Sequence, residues 1–106
     1  MIPIAFLYTT VPDKATATSL ASQLLEKGLI ACANLFVGGL AIYRWEGKIR
    51  QEEETFLLLK TSQDLIDQVK AELDILHPYN LPCLVEIKLE KDLNPNFTSW
   101  LLSQVK

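Results

Sequence analysis

The sequence predicts an α+β fold built on one antiparallel sheet, and three observations lead to this prediction. Four segments are short, apolar and rich in β-branched or aromatic residues, which is typical of strands. Two longer segments, between Asp13 and Gly28 and between Thr61 and Pro78, repeat apolar residues at helical spacing. Taken in order, the elements are β-α-β-β-α-β, the ferredoxin-like arrangement, and a short amphipathic segment adds a C-terminal helix.

The first strand and the first helix have clear boundaries in the sequence. Residues 3–10 predict a short buried strand, and Asp13 is a suitable N-cap for the helix that follows. Leu20 and Leu24 recur on one side of this helix, and Gly28 is typical of the position just after a helix end.

The second half of the chain predicts a helix, a strand and a final helix. Thr61 and Asp64 have the spacing of a capping box, and Pro78 ends the second helix. Residues 83–89 alternate between apolar and charged side chains, as a strand does, and Asn94 caps the last helix. The expected apolar side of that helix consists of Phe97, Trp100, Leu101 and Val105.

The middle of the chain predicts a β-hairpin that is apolar on both sides. Residues 29–45 and 48–60 are the expected strands, and Glu46-Gly47 is the expected turn. Apolar residues occupy odd and even positions of both strands, so both faces of the sheet need burial. The two main helices cover one face only, and the last helix is too short to cover the other. We therefore expect an obligate oligomer.

Composition limits the possible functions. The 106 residues have the size of a single domain, 1–106, and the net charge of −3 comes without a basic stripe. We expect no nucleic-acid partner and no membrane segment, since the longest apolar tract is shorter than a bilayer requires. Two cysteines are too few for a disulfide framework, which favours reduced thiols and a cytoplasmic location.

Four fragments in register resemble one protein family, the CutA family of divalent-cation tolerance proteins. The resemblance spans about residue 5 to residue 100 in the family's order and spacing. The fragments are EKGLIACANL at 26–35, IYRWEGKI at 42–49, LLLKT at 57–61 and LHPYNLP at 76–82. The resemblance implies a ferredoxin-like subunit and a homotrimer in which long hairpins pair with neighbouring subunits.

The resemblance also implies a function without catalysis, a role in tolerance or homeostasis of copper and similar divalent metals, with no organic cofactor. Cys32 and His77 match positions discussed as metal ligands. A polar and aromatic cluster near the subunit boundary maps onto Tyr43, Trp45, Lys60, Tyr79 and Trp100. Asn80 and Cys83 stand where family members commonly have carboxylates, which weakens any oxygen-rich site here.

The candidate metal ligands are Cys32, His77 and Cys83, because thiolate and imidazole together suit copper or zinc. Each also has a structural interpretation, which the sequence favours. His77 lies at a helix end, Cys32 lies within an apolar strand, and Cys83 is in register with an apolar row and is expected to be buried. The preferred interpretation of segment 75–83 is therefore the end of a helix and the start of a strand, and a metal site is the second interpretation.

Alternative functions come from the aromatic residues and from the acidic run. Tyr43 and Trp45 favour packing against a neighbour over a ligand pocket, and residues 52–54 favour a solvated edge over a hard-cation site. A small-molecule sensor with clefts between subunits, using Lys60, Trp45 and Tyr79, is the second hypothesis. A trimeric scaffold for partner proteins is the third.

Overall fold

The computed structural model describes residues 2–106, and they form the predicted α+β fold. The four strands of this region pair antiparallel in the order β2-β3-β1-β4, which confirms the ferredoxin-like arrangement. The strands are β1 (Ile4–Val11), β2 (Cys32–Trp45), β3 (Lys48–Ser62) and β4 (Leu84–Lys88), and the helices are α1 (Lys14–Glu26), α2 (Ile66–Leu76) and α3 (Pro95–Ser103). Among the helices of residues 2–106, none has both the length and the apolar character needed to cross a bilayer.

Helices α1 and α2 cover one face of the sheet and form the main core with it. Leu24 of α1 and Leu73 of α2 are fully buried, and they pack with Leu57 and Leu59 from the central strand β3. Burial of each of these leucine side chains stabilises the fold by about 1.5–3 kcal/mol relative to leaving it exposed to water. This face holds α2, whose C-terminal end leads into the candidate site.

Two helix caps are confirmed and one prediction is wrong. The Asp13 carboxylate accepts a hydrogen bond from the Thr16 backbone N–H at 2.8 Å, and the Asn94 side chain caps α3. Thr61, in contrast, is not a cap: it is the last-but-one residue of β3, and its hydroxyl donates to the Leu29 carbonyl at 2.6 Å. A 3-10 turn, Gln63–Leu65, precedes α2 instead.

The β2–β3 hairpin extends well beyond the rest of the sheet. Strand β1 ends where Val11 pairs with Thr55, so residues 48–54 of β3 pair with β2 alone. The turn is confirmed at Glu46-Gly47, where both residues have positive φ, as a type I′ turn requires. A bulge between Phe36 and Gly39 shifts the register partway along the hairpin.

The other face of the sheet, here called the open face, is apolar and largely uncovered. Helix α3 covers one end, where Leu101 buries Ile4 and Ala31. Phe36 is 55% exposed and Val85 48% exposed in the remainder. The strand registers place one apolar row on this face, consisting of Phe6, Tyr8, Phe36, Phe56, Leu58, Val85 and Ile87. The predicted two-sided apolar character of the hairpin strands is confirmed.

Gly39 allows the Phe56 ring to lie across β2, because a side-chain carbon at position 39 would overlap that ring. We expect Gly39→Ala to lower the free energy of unfolding by about 1–3 kcal/mol through overpacking. The matched background is Phe56→Leu, in which Gly39→Ala should lower the free energy of unfolding by clearly less. Equal costs of Gly39→Ala in both backgrounds, measured by urea unfolding, would show that the ring contact is not the cause.

Candidate functional site

His77 is held by hydrogen bonds on both ring nitrogens. It follows the last turn of α2, and Nε2 lies 2.9 Å from the Thr10 carbonyl oxygen and 3.1 Å from Thr9 Oγ1. The Tyr79 backbone N–H donates to Nδ1 at 3.1 Å. Since Nδ1 accepts, the proton lies on Nε2, which donates to Thr10. The ring therefore joins the end of α2 to the end of β1.

The imidazole is neutral in this environment. His77 is buried, and this burial lowers its pKa below the ordinary value. The hydrogen bond to Thr10 and the charge of Glu54 raise the pKa, but their effect is smaller. A metal on either nitrogen would replace a buried hydrogen bond. The geometry favours the structural interpretation of His77, as a link between α2 and the sheet.

Two tyrosines lie near glutamates beside this link, and one of them donates a hydrogen bond to its carboxylate. The Tyr79 hydroxyl donates to Glu54 Oε2 at 2.7 Å. Burial, and then this hydrogen bond, raise the pKa of Tyr79 well above its ordinary value. Hydrogen bonding to Glu52 likewise raises the pKa of Tyr43. Both tyrosines therefore stay protonated at neutral pH, and Tyr79 orients the Glu54 carboxylate.

These side chains border a cleft with a volume of about 610 Å³, hereafter the aromatic–acidic cleft. One wall is the part of the hairpin that extends past β1, and the other is the segment between α2 and β4. The hairpin contributes Tyr43, Trp45, Arg50, Glu52 and Glu54, and the segment contributes Pro78, Tyr79, Asn80, Leu81 and Cys83. The volume lies in the range of small-molecule sites, about 300–1,000 Å³.

The predicted metal ligands do not come together within one chain. Cys32 is half-buried on the open face, where it pairs with Lys60, whereas His77 contacts Thr10, which pairs with Phe56. Four residues of β3 separate these positions, which is about 13 Å along a strand. Within residues 2–106, no three His, Cys, Asp or Glu side chains are grouped to hold a metal ion.

Cys83 is exposed, so its predicted burial is wrong. It directly precedes β4 and belongs to the row that includes Val85, but this row faces the open side of the sheet rather than the helices. The thiol lies at the aromatic–acidic cleft, near Tyr8. Of the three predicted ligands, Cys83 is the one that lines the aromatic–acidic cleft.

The predicted aromatic cluster divides into two groups. Tyr43, Trp45 and Tyr79 line the aromatic–acidic cleft. Lys60 lies at the other end of the open face, where its Nζ is 5.2 Å from the Phe6 ring centre and 5.6 Å from that of Phe97. The second group is completed by Trp100, whose ring centre is 5.7 Å from that of Phe97.

Sequence reasoning missed the roles of Arg50, Glu52 and Glu54 in the cleft. The run at 52–54 predicts a solvated edge, and Glu52 and Glu53 are exposed as that prediction requires, whereas Glu54 is half-buried. A usable signal was present, because residues 50, 52 and 54 alternate along one strand and share a face with Tyr43, the cross-strand partner of Arg50. What could not be foreseen is the segment at 78–83, which closes the cleft.

Comparison with known proteins agrees with this architecture. The family described as CutA1 divalent ion tolerance protein matches residues 5–104. A divalent-cation tolerance protein CutA from Pyrococcus horikoshii is 40% identical over 100 residues, covering 94% of this chain and 96% of that protein.

Solved structures give the same result. CutA1 from Oryza sativa has a TM-score of 0.93 at 28% identity, covering 99% of this chain and 95% of that one. The periplasmic divalent cation tolerance protein CutA from Archaeoglobus fulgidus has a TM-score of 0.90 at 34% identity, covering 97% and 99%.

The fold and the cleft thus define a ferredoxin-like α+β protein with an apolar open face and an aromatic–acidic cleft at its hairpin. The chain belongs to the CutA1 family of divalent ion tolerance proteins. The resemblance inferred from the four sequence fragments is confirmed.

The neutral, buried His77 predicts a specific pH dependence of stability. Its pKa is lowered in the folded state, so the unfolded state binds the proton more readily as pH falls below about 6.5. Stability should therefore be constant above pH 7 and decline between pH 7 and pH 5. His77 is the only histidine, so His77→Gln should flatten this slope while lowering stability at every pH.

Thermal midpoints at pH 5, 6, 7 and 8 measure this, with protein concentration held constant because assembly also affects the midpoint. The same slope in the wild-type protein and in His77→Gln would contradict the assignment.

Proposed function

We propose that this chain acts as a homotrimer in tolerance or homeostasis of divalent, copper-type metals, and that it acts by binding rather than by catalysis. The observation that supports the proposal most strongly is the apolar open face, which one chain leaves exposed. Family membership supports the link to divalent cations, since the relatives are named for tolerance of them.

Assembly follows from the imbalance between the two faces of the sheet. Helices α1 and α2 bury one face, and α3 reaches only the end of the other near Ile4. Contiguous exposed apolar surface of this kind marks an interface in a soluble protein. The edge strand β2 and the extended hairpin offer further surface to a neighbour, and the family resemblance supplies the number three.

Metal binding is best assigned to Cys83. It is an exposed thiol at the aromatic–acidic cleft, and Glu54 lines the same cleft. A thiolate prefers copper(I) or zinc among biological metals. Because one chain offers no group of three ligands within residues 2–106, we propose that solvent or a second protomer completes the coordination.

We propose a cytoplasmic location, because reducing conditions keep both free cysteines available as thiols. The relative from Archaeoglobus fulgidus is named as periplasmic, so family membership alone does not determine the location.

A second candidate function is sensing of a small molecule. The aromatic–acidic cleft supports it, because aromatic walls and converging charged groups are typical of ligand sites. It lies where the hairpin leaves the sheet, so a neighbouring protomer on the open face would border it. In this hypothesis the trimer reports occupancy of the cleft to another protein.

Disruption of the open face tests the assembly. We expect Phe36→Glu to convert the trimer to smaller species, because it places a charge in the apolar row where that row reaches the edge strand β2. The matched control is Ile75→Glu on α2, where the side chain is 76% exposed and lies away from the open face. Light scattering coupled to size exclusion reports the masses. A control that dissociates equally, or a Phe36→Glu protein that stays trimeric, would contradict the assigned interface.

Removal of the exposed thiol tests the metal assignment. In calorimetric titration of the reduced protein with Zn²⁺, which has no redox chemistry, we expect Cys83→Ser to weaken binding at least tenfold. Cys32→Ser makes the same atomic change at the half-buried cysteine and should leave the affinity unchanged. Parallel titrations with copper(I) give the order of preference. Equal affinities of the wild-type protein and Cys83→Ser would refute the role of this thiol.

A further inference from the structure

We propose that the aromatic–acidic cleft binds an organic cation with two ammonium groups, such as a short aliphatic diamine. The proposal rests on the second candidate function, ligand sensing, and names the chemical class of the ligand. It is argued from the charges, the aromatic walls and the spacing of the acidic groups.

The charged groups of the cleft favour a cation. Glu52 and Glu54 contribute two negative charges, and Arg50 contributes one positive charge. Glu54 is half-buried, whereas Glu52 and Arg50 are both exposed and are screened by water. The net charge of these three side chains is −1, and the half-buried Glu54 contributes most to the field inside the cleft.

A phenol prepares one of these carboxylates for a ligand. Tyr79 donates to one oxygen of Glu54, and Tyr43 lies on the same face of the hairpin as Glu52. An ionised carboxylate has about four acceptor sites, so each glutamate retains acceptors for N–H donors. Because Tyr79 holds the Glu54 side chain in place, a ligand need not order that carboxylate on binding.

The aromatic walls favour a cation with methylene groups over a bare metal ion. Tyr43, Trp45 and Tyr79 line the cleft, and ammonium groups are attracted to the faces of such rings. The same rings provide apolar surface for a carbon chain. The described residues of one chain bring together no group of three metal ligands here, so a metal ion at Cys83 would need donors from solvent or a second protomer, whereas an organic cation would not.

The spacing of the two glutamates suggests two ammonium groups. Glu52 and Glu54 are alternate residues on one face of β3, where their Cα atoms lie about 7 Å apart. A four-carbon diamine in an extended form matches that separation. One cationic end would meet each carboxylate, with the methylene groups against the rings.

The test is calorimetric titration of the native oligomer with 1,4-diaminobutane. We expect saturable binding that weakens as salt is added, and no binding of 1,4-butanediol or succinate, which have the same carbon chain but no positive charge. Glu54→Gln should weaken diamine binding about tenfold, as expected for loss of a hydrogen bond to a charged group. Trp45→Leu should weaken it as well.

Glu53→Gln is the matched control. It removes the same charge from the neighbouring residue, which lies on the opposite face of β3, and its affinity should differ less than twofold from wild type. Equal weakening by Glu53→Gln and Glu54→Gln, with the oligomer intact, would overturn the proposal, since a general charge effect would then explain binding.

The other outcomes separate this proposal from the function on which it rests. Binding of succinate in place of the diamine overturns the cationic ligand but leaves ligand sensing in place. Binding of Zn²⁺ without binding of any organic ligand overturns both the diamine proposal and ligand sensing, and leaves metal tolerance as the function. A crystal structure in which a neighbour's side chain fills the cleft also overturns the proposal.

Discussion

The structure depends on one constraint: a four-stranded sheet whose own helices bury only one face. Leu57 and Leu59 of β3 lie in the core beneath α1 and α2, while Phe56 and Leu58 of the same strand face the open side. Full burial of such a side chain is worth about 1.5–3 kcal/mol. The open face therefore favours association strongly, and we propose that copies of the chain supply the missing layer.

The same constraint determines where ligands can bind. The open face has a polar or aromatic group at each end, with the apolar row between them. At one end Lys60 lies over Phe6 and Phe97, and at the other the extended hairpin and the segment at 78–83 form the aromatic–acidic cleft. In a single chain the two ends are separate, so the residues that the resemblance grouped into one cluster meet only if neighbouring protomers bring them together.

Local sequence signals predicted the fold and missed features that depend on distant parts of the chain. The helix start at Asp13, the turn at Glu46-Gly47 and the end of α2 before Pro78 depend on adjacent residues, and all three are confirmed. Thr61 was misassigned as a cap because its partner, the Leu29 carbonyl, lies 32 residues away in sequence. Cys83 was expected to be buried because alternation shows which residues share a face but not which face is covered.

The central claim is that the open face is covered by other copies of the chain, and sedimentation equilibrium of the unmodified protein over a dilution series to nanomolar concentration tests it most directly. The account predicts one species at three times the chain mass of 12.0 kDa throughout the series. A folded species of 12.0 kDa at low concentration, with native circular dichroism, would contradict it.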